Sequence, residues 1–398
     1  MKTTPSSASP DLLPHLGAEQ GERKLSDGIR AEELNILIGS DAVDDEEVKE
    51  AVKLNTMILL NEKYGITEKD FARAEIEIVP AYKSRDVGFD RSMIGAYGHD
   101  DRVDAYPALM AEIATKNPAF TTVCVLTDKE EIGSDGVTGM QSMYVFHFMQ
   151  ELCRTAGQDD IIAFRNSVCL SADVTAAYDP SWASAFEPMN GTYAGRGIAL
   201  FKYTGSRGKS AANDASAELV GYVTRMMDAD DVAWQIGELG RLDLGGGGTI
   251  AKYVANRGIP VIDIGVPVLS MHSPFEVIHK TDLYMAYRAF VLFNQPLSKL
   301  ILRTKAPGSL PFGRPSGAFC YVVGRGTACS TVRKAKPLSL YHWMMSGRAS
   351  AVVRVVAESC ISTMHWVCSP VSRTMLRKMV PALGLPPTAS SAQTFQST

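Results

Sequence analysis

Four short apolar runs punctuate the middle of the chain. Thr121-Thr-Val-Cys-Val-Leu126 and Ser167-Val-Cys-Leu-Ser171 are β-branched and apolar, as are residues 198–203 and 260–266. Runs of this length and composition predict buried strands. Between them apolar positions recur at helical spacing. Residues 45–64 put Val48, Ala51, Val52, Ile58 and Leu59 on one face, with acidic residues in the first turn and Gly65 as the stop. Helices are also expected over 103–115, 139–152 and 281–293, and Ala215, Leu219, Tyr222, Val223 and Met226 form the apolar stripe of another. His147 falls inside one of them and is expected to be a packed helix histidine. Glu75-Ile-Glu-Ile-Val79 alternates as a half-buried strand should, and Pro80 ends it. Strands followed by helices, repeated, predict an α/β sandwich with a largely parallel sheet.

Such a sheet gathers its chemistry at the carboxyl ends of the strands. Three of the predicted strands deliver acidic or imidazole side chains there: Glu130 and Glu131 after the first, Asp173 after the second, and His272 after the run 260–266. Asp100 opens the helix over 103–115, where a carboxylate is also favoured by the helix dipole. Adjacent glutamates alone are more often solvated loop charges than catalysts. Carboxylates and imidazole without thiolates suit a catalytic zinc, cobalt or manganese centre with open positions. Neighbouring carboxylates can then divide the work, one holding a metal and the other acting as base on water. The glycine-rich Leu244-Gly-Gly-Gly-Gly-Thr249 lacks the lysine and spacing of a phosphate loop, so a nucleotide site is not expected.

Composition narrows the class. At 398 residues, 45% apolar and 21% charged, the chain is long enough for two or three domains and has an ordinary globular composition. No membrane span or apolar leader segment is present in the pattern. Seven cysteines without a C-x-x-C pair argue against a disulfide framework or a thiolate zinc site, and the reading expects a cytoplasmic protein. The overall net charge of −4 hides a division. Residues 296–398 carry 13 Lys and Arg against a single acid, Glu358, a net of +12 that leaves −16 for the rest. A boundary is therefore expected near Gln295. Basic residues without an accompanying motif do not predict nucleic-acid binding.

Four ordered blocks then resemble the metal site of the aspartyl-aminopeptidase family of two-metal aminopeptidases, in its bacterial branch. They are Tyr97-Gly-His-Asp-Asp-Arg-Val103, Asp128-Lys-Glu-Glu-Ile-Gly-Ser134, Ser171-Ala-Asp-Val174 and Met271-His-Ser-Pro-Phe-Glu276. Tyr203-Thr-Gly-Ser-Arg-Gly-Lys-Ser210 and residues 243–250 are similar too, and the resemblance covers about residues 12–293. It implies a three-layer α/β sandwich of the zinc-exopeptidase type with a partial inserted dimerisation domain. Residues 1–90 would be a remnant of that domain and its connection, 91–295 the metallopeptidase domain, and 296–398 a basic tail outside the fold.

By the same resemblance, two divalent metal ions are expected, zinc first, with cobalt and manganese as alternatives. Asp100 would bridge them, Glu131 and His272 would complete one set and Asp173 would serve the other. Glu130 would be the general base, and His15 would reach into a neighbouring subunit's pocket to help hold the developing oxyanion. Lys209 or Arg207 would hold an acidic substrate side chain or carboxylate. The implied function is removal of single amino-terminal residues, acidic ones included, from peptides by a homo-oligomer. The family's first histidine ligand has no counterpart among the residues before His15, leaving the second ion only Asp100 and Asp173. The alternative is therefore a catalytically impaired oligomerisation subunit of the same fold. A nucleic-acid-binding protein led by the tail is the third reading.

Overall fold

The computed structural model describes Ala8, residues 13–295 apart from 117 and 119, and the backbone of two further segments, Phe319–Val323 and Arg354–Val356. The chain divides into two compact units, Met1–Glu77 and Ile78–Thr398. The division falls before the expected boundary at residue 90. Its cause is a strand pairing: β1 (Arg85–Val87) runs antiparallel to β2 (Met93–Ala96), which ties residues 85–87 to the second unit.

The first unit is helical where it is regular. Besides the one-turn α1 (Ala18–Gly21) and α3 (Glu68–Phe71), it contains α2 (Ala51–Tyr64). Gly65 closes α2 at a φ of 71°, a left-handed conformation that glycine adopts without a Cβ penalty. The helix starts six residues later than expected, because residues 45–50 form turns. Its apolar residues Val52, Ile58 and Leu59 remain exposed. The strand expected over 75–79 does not form; residues 75–78 are exposed and belong to no ladder. Alternation alone cannot hold a strand when no partner takes its N–H and C=O groups.

The second unit is built on two sheets. The larger contains β3 (Thr122–Leu126), β4 (Val168–Ala172), β6 (Ile198–Phe201), β7 (Trp234–Ile236) and β8 (Val261–Gly265), with β11 (Phe319–Val323) and β12 (Arg354–Val356). Their order is β12-β3-β11-β4-β8-β6-β7. Pairing is parallel from β3 through β11 and β4 to β8 and again between β6 and β7, while β6–β8 and β12–β3 are antiparallel. The smaller sheet, ordered β1-β2-β10-β9-β5, adds β5 (Thr175–Ala176), β9 (Pro267–Leu269) and β10 (Glu276–His279).

Alternation along the buried strands makes the larger sheet two-faced. Cys124, Leu126, Leu170, Ile262 and Ile264 join one core, with side chains from α4 (His99–Ala114), α7 (Ala217–Asp228) and α9 (Lys280–Phe293). Val123, Val125, Cys169 and Val261 join the other, with Phe146 and Met149 of α5 (Tyr144–Thr155) and Ala251 and Val254 of α8 (Ala251–Ala255). The short α6 (Asp160–Arg165) packs on α5. Helices on both faces of a mainly parallel sheet give the expected three layers. His147, expected to be packed, is exposed on α5, because Phe146 and Met149 define the buried face.

Residues 296–398 were expected to stand outside the fold, and at two places they do not. Phe319–Val323 lies between β3 and β4, paired in parallel with both, and Arg354–Val356 extends the sheet beyond β3. The physical reason lies in β3 and β4, every residue of which is buried. Their facing backbone groups need a partner, since an unmet buried N–H or C=O costs as much as a lost hydrogen bond. The other residues of that tail lie outside the described residues.

Candidate metal centre

The site lies in the second unit, where β2, β3, β4 and β10 end or begin. Gly98 (φ 68°) turns the chain out of β2 into α4. Asp100 and Asp101 follow with non-helical backbone, ψ 111° and 28°, before the regular turns of α4 begin. Glu130 and Glu131 sit in the single turn after β3, between Lys129 at φ 64° and Gly133 at φ 101°. Asp173 leaves β4 beside the end of β8, where a Cβ on Gly265 would collide with the Asp173 carbonyl. A residue without a side chain is needed there for the two strands to approach.

These segments bring Asp100, Glu131 and His272 together. His272 Nε2 lies 2.9 Å from Asp100 Oδ2 and 3.4 Å from Glu131 Oε2. One ligand atom from each of the three falls within 4.8 Å of the others, as does one from each of Asp100, Asp101 and Asp173. Asp100 is common to both groups. A cavity of about 290 Å³ opens on Asp100, Glu131 and His272, with Tyr97, Arg102 and Ser273 also in its wall. Glu130 belongs to neither group and interacts electrostatically with Asp100 and His272 of one and Asp173 of the other.

The electrostatics match a site short of positive charge. Burial raises Glu130 above the usual carboxylate range, and the neighbouring Asp100 raises it further. Glu131 is raised by the same two causes in the same order. Asp101 and Asp173 are pushed well up, mainly by burial and then by the acids around them. His272 moves up because Asp100 accepts its hydrogen bond. Carboxylates packed this closely, with one imidazole among them, are the donor set of a divalent metal centre. The buried Asp101 lies among these acids, its carboxyl hydrogen-bonded with that of Asp104.

Glu276 holds the frame. Its buried carboxylate accepts the backbone N–H of Asp100 at 3.0 Å and that of His272 at 2.7 Å. Asp263, 1% exposed, accepts from Thr249 Oγ1 at 2.8 Å and Thr204 Oγ1 at 3.4 Å. It thereby ties the glycine-rich segment to the loop over 204–210, as does the Arg207 N–H to Gly245 O bond of 3.1 Å. Asp101, Glu276 and Asp263 were not among the residues that the sequence singled out. The signals were adjacency for Asp101 and, for Glu276, its place four residues after His272.

Two other expected residues are not brought to the cluster. Lys209 Nζ is 2.7 Å from Asp214 Oδ2, whose other oxygen takes Lys202, so its charge is already met. Arg207 is exposed at a φ of 53° in the same loop, and neither it nor Lys209 lines the cavity. His15 is exposed in a single turn, Pro14–Leu16, of the first unit.

Comparison with known proteins points to one family. The chain is 48% identical over 287 residues to a probable M18 family aminopeptidase 1 from Clostridium acetobutylicum, an alignment that covers 71% of this chain and 62% of that relative. Among solved structures, aminopeptidase I from Clostridium acetobutylicum matches with a TM-score of 0.68 and 44% identity, over 74% of this chain and 65% of that one. An M18-family aminopeptidase from Thermotoga maritima matches with a TM-score of 0.67 and 43% identity, over 73% of this chain and 64% of that one. The chain thus spans less than two thirds of the length of these relatives. A model of the aminopeptidase I zinc metalloprotease (M18) family matches residues 2–294, and the chain belongs to that family.

Proposed function

We propose that the chain carries a metal-dependent aminopeptidase centre that removes single amino-terminal residues from peptides. The observation that carries the reading is the pair of ligand groups sharing Asp100, with Glu130 part of neither yet in electrostatic contact with Asp100, His272 and Asp173. The ions are divalent, zinc first, with cobalt and manganese as alternatives. Asp100, Glu131 and His272 would hold one, and Asp100 with Asp173 the other. Bound metal supplies a Lewis acid for the scissile carbonyl and makes water acidic enough to lose a proton near neutrality.

Glu130 then takes that proton and passes it to the leaving amine. Its raised carboxyl suits both halves of the transfer, because a base and an acid work best near the operating pH. Glu276 orients Asp100 and His272 through their backbone, so neither has to be ordered when substrate arrives. Preference for an acidic residue would rest on Arg207, with Lys209 held by Asp214 until a substrate carboxylate competes for it. His15 would act from another subunit of a homo-oligomer, as the family resemblance implies. No helix among the described residues is long and apolar enough to cross a membrane. Cys153 is a free thiol, which fits a cytoplasmic setting.

One observation favours the second reading, an impaired subunit of the same fold. Among the described residues His272 is the only imidazole in either ligand group. A panel of aminoacyl-anilides, assayed with zinc, cobalt or manganese and again with chelator, separates the two. Metal-dependent anilide release supports the enzyme. Tight metal binding without release would overturn it in favour of the impaired subunit.

A further inference from the structure

The glycine run after Leu244 has no role in the arrangement so far, and the fold explains only part of it. A Cβ on Gly245 would stand 2.3 Å from the Leu239 carbonyl oxygen, and one on Gly246, at a φ of 89°, would stand 1.9 Å from that of Gly205. Gly247 has neither reason. Its φ is not left-handed, and beyond its chain neighbours no heavy atom lies within 4 Å of where a Cβ would be. Glycine there costs backbone entropy with no gain inside the fold, and a close approach of the main chain to a ligand is the remaining use for it. Gly247 is half-buried and Gly248 exposed, and among the described residues neither N–H donates a hydrogen bond to the chain.

The run is also held beside the proposed base. Thr249 Oγ1 donates to the buried Asp263 at 2.8 Å, and a Cβ on Gly248 would lie 3.7 Å from Lys252 Nζ. Asp263 and Lys252 both interact electrostatically with Glu130. Tyr253 Oη donates to the Gly133 carbonyl at 3.4 Å, at the end of the turn that carries Glu130 and Glu131.

We propose that Gly247 and Gly248, held in place by the Thr249–Asp263 bond, form a recognition strip for the main chain of the substrate, their N–H groups donating to its carbonyls. Glu130 delivers its proton to the leaving amine, so a strip beside Glu130 meets the part of the peptide beyond the bond to be cut. The ligand class is an extended peptide longer than a dipeptide. Side chains there matter little, because main-chain hydrogen bonds are the same for every sequence. This inference rests on the reading of the pocket as an aminopeptidase centre, but it concerns peptide binding and not turnover.

The test is titration calorimetry of the full, zinc-loaded chain with two probes. L-Leucine reaches only the amino-terminal side of the centre. Leu-Ala-Ala with its first amide reduced to a methyleneamine also covers the strip and cannot be hydrolysed. Gly247→Ala fills open space, so its melting temperature and its affinity for L-leucine should match the parent's. Its affinity for the tripeptide analogue should fall about tenfold, the cost of about two main-chain hydrogen bonds. Thr249→Val, which releases the strip from Asp263, should show the same selective loss, and Thr249→Ser, which keeps the hydroxyl, should bind like the parent. An analogue bound by Gly247→Ala or Thr249→Val as tightly as by the parent overturns the proposal. So does an equal loss for both probes, or a parent that binds L-leucine and not the analogue. A parent that binds neither probe would sink the aminopeptidase reading itself.

Discussion

Glu276 and Asp100 are joined by a 3.0 Å hydrogen bond from the Asp100 backbone N–H to the Glu276 carboxylate, whose other oxygen takes the N–H of His272. Two proposed ligands from distant parts of the chain are thus set by one buried side chain. Glutamine at this position has a single acceptor and would turn its NH₂ towards one of the two donors. Glu276→Gln should therefore weaken zinc binding by about 10–100-fold, the usual effect of losing an orienting partner. Competition with a chromophoric chelator reads this directly, and unchanged affinity would show that Glu276 serves only the fold.

The two adjacent glutamates should separate cleanly. Glu130→Gln keeps the shape but cannot take a proton, so turnover should fall by about 10²–10⁴-fold while metal content stays near that of the parent. Glu131→Gln should lose metal as well, because its oxygen belongs to a ligand group. Equal metal loss in both variants would refute the division of roles.

Removing everything after Gln295 should damage the second unit. The truncation takes away β11, leaving the facing backbone groups of β3 and β4 unpaired in the middle of the sheet. A large fall in melting temperature is expected, with loss of a single cooperative transition. A truncated chain that melts like the parent would mean that residues 319–323 are dispensable.

Stability should also carry a pH signature from Glu238. Burial lifts its carboxyl from 4.5 to about 7, against smaller downward pulls from Tyr203 and Lys209. Between those values the folded chain keeps a proton that the unfolded chain releases, so stability falls as pH rises through this window. Below it both states are protonated and the penalty is absent. Glu238→Gln should flatten the slope, seen as closer urea midpoints at pH 5 and pH 8 than in the parent. An unaltered slope would assign the pH dependence to other groups.

The strands that were legible are the ones buried on both faces. Thr122–Leu126 and Val168–Ala172 read as apolar runs because both of their faces are covered by helices. The smaller sheet was hidden, since its strands are two to four residues long and Met93–Ala96 contains Gly95 and reads as a turn. Asp100, Glu131 and His272 were visible through motif spacing, and the structure brings them together. The pairing of Lys209 with Asp214 was not legible, because it is a contact through space that no local pattern announces. The tail strand was masked by its basic surroundings; charge describes a segment's solvent-facing average, whereas β11 is selected by the ladder it completes.

The placement of Phe319–Val323 also sets an order of assembly. Synthesis proceeds from the amino terminus, so β3, β4, β6, β7 and β8 leave the ribosome before the strand that joins β3 to β4 exists. The β4, β8, β6 and β7 half can pair early, but β3 has no place in it until residue 323 has emerged. Glu130 and Glu131 hang from the end of β3, whereas Asp173 hangs from the end of β4. The two sides of the metal centre are therefore born on separate half-sheets, and they meet only when the last central strand slides in between.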